Sequence, residues 1–159
     1  ADLRNPSTAK VLGMQEQELG TLQVLKGEVK IEDAVQPYKD TSVMVLAGSS
    51  PIQDTSTVLS GENMRQFIKE LEAKADFVVI DTPPSAMLSD AAIVAQYVDG
   101  AVFVIRQDYT EADRILEGME ILSSSGAQIT GCILNDANVK GNSSQHYKNS
   151  YRLKGEVKF

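Results

Sequence analysis

The chain has 159 residues, a hydrophobic fraction of 42% and a formal net charge of −7. That size supports one domain with a real core, and the composition excludes wholesale disorder. The acidic balance argues against a general nucleic-acid binder, which needs a basic footprint to displace counterions. No apolar run approaches the roughly 20 residues of a membrane span, and the polar start at Asp2, Arg4 and Asn5 is unlike a signal peptide. Cys132 is the single cysteine, so an intrachain disulfide and a cysteine metal cluster are excluded and a reducing cytoplasm is the natural location.

In chain order, Ser7 to Leu12 reads as a short helix after Pro6, stopped at Gly13, and Gly20 to Leu25 as another, stopped at Gly27. Val43-Met44-Val45-Leu46-Ala47 is a predicted strand that runs into the loop Gly48-Ser49-Ser50-Pro51. Ser60 to Lys74 is the best-marked helix, because Met64, Phe67, Ile68 and Leu71 recur at the spacing that places them on one face. Asp90 to Tyr97 is predicted helical and Ala101 to Ile105 a strand. Thr110 and Asp113 resemble a capping box at the start of a helix carrying Ile115, Met119 and Leu122 on one side and ending near Gly126. Ile129 to Leu134 is the last predicted strand, with Cys132 as a small core residue. Strands that are apolar throughout and alternate with helices indicate an α/β fold, a doubly wound, mostly parallel sheet with helices on both faces. From Asp136 onward the composition turns polar, which divides the chain into a domain over residues 1–136 and a polar tail over residues 137–159. The tail's Lys148, Arg152, Lys154 and Lys158 read as a solvated end.

The most informative stretch is Phe77-Val78-Val79-Ile80-Asp81-Thr82-Pro83-Pro84. Four apolar residues end in a carboxylate, and two prolines then stop ladder and helix alike. This pattern predicts a buried parallel strand delivering Asp81 to the carboxyl edge of the sheet, where open α/β sheets bind ligands. A carboxylate there suits Mg²⁺ on a nucleotide. A second acid, Asp2, opens the chain just before the turn at Pro6.

Taken together, these motifs carry a family resemblance. Asp2-Leu3-Arg4-Asn5-Pro6-Ser7 resembles the Walker A′ element, and Val78-Val79-Ile80-Asp81-Thr82-Pro83-Pro84 the Walker B element, of the bacterial protein-tyrosine kinases that control capsule and exopolysaccharide synthesis. Val98-Asp99-Gly100, Gly131-Cys132-Ile133-Leu134-Asn135 and the segment Gly20 to Pro37 are similar to other parts of the same domain, so the resemblance spans nearly all of residues 1–136. It implies a P-loop-NTPase-like fold that uses ATP and Mg²⁺. Asp81 is implied as a metal carboxylate acting through water. Asp2 is implied near the γ-phosphate, positioning metal or accepting the attacking hydroxyl's proton. Asn135 is implied at the adenine edge, with Arg4 and Thr82 also at the nucleotide. Tyr147 and Tyr151 are implied as phosphoacceptors in the tail. The implied setting is the cytoplasmic face of the cell membrane, with a membrane-embedded activator as partner, homo-oligomers and no nucleic acid.

The sequence also departs from the family pattern. Ser50-Pro51-Ile52-Gln53-Asp54-Thr55 has fewer prolines than the family's loop, and Asp136 stands where a basic residue is usual. A phosphate cradle needs Gly-x-x-x-x-Gly-Lys-Ser/Thr, and the chain contains no Gly-Lys pair. In the related fold the cradle's strand lies between the strands ending at Asp81 and Ile105, and it precedes the point where this sequence begins, as if the chain were cut. Two further readings stand beside the kinase: an ATPase switch of the partition or septum type, and a non-catalytic interaction module that keeps the fold.

Overall fold

The computed structural model describes residues 1–87 and 89–138. Tyr147 and Tyr151, with the tail from residue 139 onward, lie outside the described residues.

Helix α1 (Thr8–Leu12) ends where Gly13 enters the left-handed region at φ +67°, a conformation that costs glycine little. Helix α2 (Thr21–Leu25) stops before Gly27, and the short α3 (Ile31–Ala34) follows. Strands β1 (Gln36–Pro37) and β2 (Met44–Val45) form an antiparallel pair. The strand expected over Val43 to Ala47 is therefore reduced to two ladder residues, paired antiparallel with its own upstream segment. Helix α4 (Ser56–Leu59) leads to α5 (Glu62–Glu72), whose apolar stripe buries Met64, Phe67 and Ile68 as the spacing predicts. Helix α6 (Asp90–Val94) continues as a 3₁₀ turn over Ala95–Tyr97.

Strand β3 (Ala101–Arg106), helix α7 (Ala112–Ser124) and strand β4 (Ile129–Asn135) form a β–α–β unit. The strands run parallel, pairing Val102 with Gly131, Val104 with Ile133 and Arg106 with Asn135. Glu111 occupies the N-cap of α7 and no side chain caps it, so the capping box expected from Thr110 and Asp113 does not form. Gly118 lets α7 approach the sheet: a Cβ there would stand 2.8 Å from Ser85 Oγ and 3.1 Å from the ring of Phe103.

The main core joins Leu3, Leu22, Leu25, Ile31, Leu59, Met64, Phe67, Ile68 and Val94. A smaller one packs Ala91, Ala95 and Leu122 against Phe103, Ala127 and Ile129. The other side of β3 is bare, with Val102 55% and Val104 59% exposed. Phe77 to Ile80 joins no ladder, and Phe77 and Val79 are 90% and 94% exposed. Burial of this segment, expected from its apolar run, is therefore confined to Ile80, half-buried against the main core. A strand is buried by neighbours on both edges and layers on both faces, and none of the strands among the described residues pairs with it. Cys132, expected in the core, is exposed on β4, and among the described residues no third strand joins the β3–β4 pair.

Candidate functional site

Asp2 sits in a tight turn that its own side chain closes. Its Oδ1 accepts the backbone N–H of Arg4 at 3.1 Å and of Asn5 at 2.9 Å. An aspartate that binds the backbone two and three residues ahead fixes a turn without help from helix or sheet. Leu3, buried beneath the turn, anchors it in the main core, and its C=O accepts the N–H of Ile52 at 2.9 Å. Gly48 closes against Pro6 so tightly that no side chain fits there.

Asp81 lies alongside. The nitrogen of Ala1 donates to the Asp81 C=O at 2.7 Å, so the segment carrying Asp2 runs next to the end of the Phe77–Asp81 segment. The Asp81 side chain is exposed, Thr82 is half-buried and Pro83 is buried. The two acids, 79 residues apart in sequence, thus belong to neighbouring backbone segments.

Arg4 does something other than point to solvent. Its Nε and Nη2 donate to the two carboxylate oxygens of Asp90 at 2.7 and 3.1 Å, and its Nη1 donates to the C=O of Gln53 at 2.9 Å. Asp90 is 0% exposed and also accepts the Thr55 hydroxyl at 2.8 Å. Burial works to raise the Asp90 carboxyl, but the hydrogen bonds from Arg4 and Thr55 and the charge of Arg4 outweigh it and hold the group below its ordinary value. The same pairing raises Arg4 further above its already high value. The guanidinium expected at the nucleotide is therefore engaged within the protein. From the sequence Asp90 is a helix start and Thr55 a loop residue. The one visible signal was an acid inside the largely apolar run Ala86 to Val94.

At the far end of β3 and β4 a shallow cleft of about 520 Å³ opens between Arg106, Gln107, Tyr109, Asp136 and Asn138. Asp108 and Asp136, both at φ +56°, turn the chain sharply just past the two strands. Asn135, the last residue of β4, precedes the cleft in sequence without lining it; its C=O accepts the Gln107 N–H at 3.0 Å, and Gln107 Oε1 accepts the N–H of Asn138 at 3.0 Å. Arg106 pairs with Asp136 at 3.0 Å and lies over the Tyr109 ring at 5.1 Å. The acid in the place of the family's usual basic residue thus finds its cation within the same cleft.

The chemistry of the donors suits a hard cation. Asp2 Oδ2 and both side-chain oxygens of Asp81 accept no hydrogen bond among the described residues. No group of three or more His, Cys, Asp or Glu side chains is assembled among those residues. Mg²⁺ fits such a pair better than Zn²⁺ does, because it commonly takes one or two carboxylates and completes its shell with water and phosphate.

Comparison with known proteins is decisive at this point. Over 147 residues the chain is 30% identical to the tyrosine-protein kinase YwqD of Bacillus subtilis, covering 92% of this chain and 62% of that protein. It superposes on the crystal structure of the VpsO kinase domain with a TM-score of 0.78 and 30% identity, covering 86% of this chain and 68% of that one. The chain belongs to the bacterial tyrosine-protein kinase family. Its fold is accordingly the P-loop-NTPase-like fold of those kinase domains. The septum site-determining protein MinD of Pyrococcus horikoshii, solved with Mg-ADP, is a more distant likeness at a TM-score of 0.67 and 26% identity, covering 86% of this chain and 56% of that one. No family model matches. No helix among the described residues is long and apolar enough to cross a membrane.

Proposed function

We propose that these residues form the metal-binding and base-binding part of an ATP- and Mg²⁺-dependent tyrosine autokinase that regulates capsule or exopolysaccharide synthesis. The observation that carries this reading is the juxtaposition of the Asp2 turn with Asp81 in a chain of this family. Asp81 holds Mg²⁺, and Asp2, with one oxygen fixed by its own turn, presents the other to the metal or to the proton of the attacking tyrosine hydroxyl. The bound cation supplies charge neutralisation on the phosphates. The adenine lies at Asn135, just before the residues of the cleft, with the exposed Asn135 amide offering both donor and acceptor. Thr82, next to Asp81 in the Walker B motif, would contact the nucleotide. Tyr147 and Tyr151 are the phosphoacceptors, and a membrane-embedded activator at the inner face of the cell membrane is the partner.

The backbone cradle for the phosphates is not present in these residues, so the 159 residues by themselves are expected to bind ATP at millimolar affinity or weaker, measured by calorimetry. In the intact protein, Asp81→Asn lowers tyrosine autophosphorylation by about 100-fold or more, and removing Mg²⁺ with a chelator does the same. Wild-type phosphorylation by Asp81→Asn would remove the metal role. The likeness to MinD favours one second reading, a nucleotide switch. ATP hydrolysis without phosphotyrosine, followed by mass spectrometry of Tyr147 and Tyr151, separates it from the kinase.

A further inference from the structure

The part-buried pair between Arg4 and Asp90 joins segments 86 residues apart. Ion pairs out of water stabilise little, because desolvation offsets most of the attraction, so their placement says more than their energy. Here the placement is specific. Arg4 gives its backbone N–H to Asp2 Oδ1 and its guanidinium to Asp90, so a single residue links the turn of Asp2 to the buried acid. Asp90 lies nine residues beyond Asp81 on the same segment, past the two prolines. The third arm of the guanidinium holds the C=O of Gln53, and Thr55, two residues on, closes the circuit on Asp90 Oδ1. Planar, two-pronged pairing of guanidinium and carboxylate fixes direction as well as distance, which an ammonium cannot do.

From this geometry we infer that Asp90, with Thr55 and through Arg4, is a positioning residue that sets where the Asp2 carboxylate stands relative to Asp81. The inference rests on the kinase reading for its catalytic consequence, but the clamp itself can be measured without nucleotide. Asp90→Asn keeps the shape and removes the charge, Thr55→Val removes one hydrogen bond, and Arg4→Lys keeps the charge and removes the fork.

In the intact natural protein, amide hydrogen exchange of Arg4 and Asn5 is expected to speed up about tenfold in Asp90→Asn and Arg4→Lys, and by a smaller factor in Thr55→Val, while the amides of α5 are unaffected. Turnover is expected to fall about 10- to 100-fold in Asp90→Asn with the KM for ATP nearly unchanged, since the loss is one of alignment rather than of binding. If Asp90→Asn does not fold, Thr55→Val and Arg4→Lys carry the same test. Unchanged exchange at Arg4 and Asn5 in the folded variants overturns the clamp. Faster exchange with turnover intact overturns its role in positioning Asp2. Asp81→Asn with full phosphorylation strikes instead at the metal reading and leaves the exchange result standing on its own.

Discussion

Asp90 carries a charge with no exposure to solvent, and its three hydrogen bonds all come from two residues, Arg4 and Thr55. Truncating it strands a half-buried guanidinium and a buried hydroxyl, and a buried polar group left without its partner destabilises the fold. Asp90→Ala is therefore expected to shift the urea midpoint strongly downward, measured by circular dichroism. The pH dependence follows from the lowered carboxyl. An unfolded Asp titrates near about 3.9. Because the folded value lies below that, the pair's contribution is complete above about pH 5, declines as pH falls, and is gone once the folded carboxyl also protonates. Asp54, held low by hydrogen bonds from Thr57 and Ser56, and Glu32, held low by Lys74, act in the same direction. Acid unfolding followed from pH 6 to pH 3 should accordingly show a shallower slope in Asp90→Asn than in the wild type, and equal slopes would mean that Asp90 is not charged in the folded protein.

Helix α5 is where local pattern and tertiary packing agree. Met64 is fully buried on the stripe that the sequence spacing marks, whereas Leu116 on α7 is 66% exposed. Met64→Ala is expected to cost about 2–5 kcal/mol, through lost transfer energy and the cavity left behind. Leu116→Ala is expected to change stability by less than about 0.5 kcal/mol. Comparable midpoints for the two variants in urea titration would show that α5 is not part of the core. The spacing also located α1, α2, α7 and both strands of the parallel pair to within a residue or two, because each has a periodic apolar face or a glycine stop. It missed α3 and α4, which have only one turn each and so carry too few residues for a periodic face. It misjudged Val43 to Ala47 for a different reason. An apolar run specifies extended backbone, but the partner and direction of pairing come from elsewhere.

Across the whole molecule, the apolar surface is distributed unevenly. The main core is closed, while Phe77, Val79, Val102 and Val104 are largely exposed and the Phe77–Ile80 backbone has no ladder. Exposed apolar segments with unpaired N–H and C=O groups favour association with other chains. The chain spans 62% of the length of YwqD. Dye binding by exposed apolar surface is expected to be strong for the 159 residues and to fall when Phe77 and Val79 are replaced by Ser, with weak binding by the unsubstituted chain meaning that this surface is covered.

The sequence by itself determined the periodic elements, the α/β class and the two acidic motifs. Each of these depends on residues within one short window, where spacing and side-chain chemistry suffice. Only the tertiary structure decided that the segments of Asp2 and Asp81 run side by side, that Arg4 is engaged by Asp90, and that the Phe77–Ile80 segment joins no ladder. Those facts depend on contacts between residues some 80 positions apart, and local pattern carries no information about which distant groups will meet.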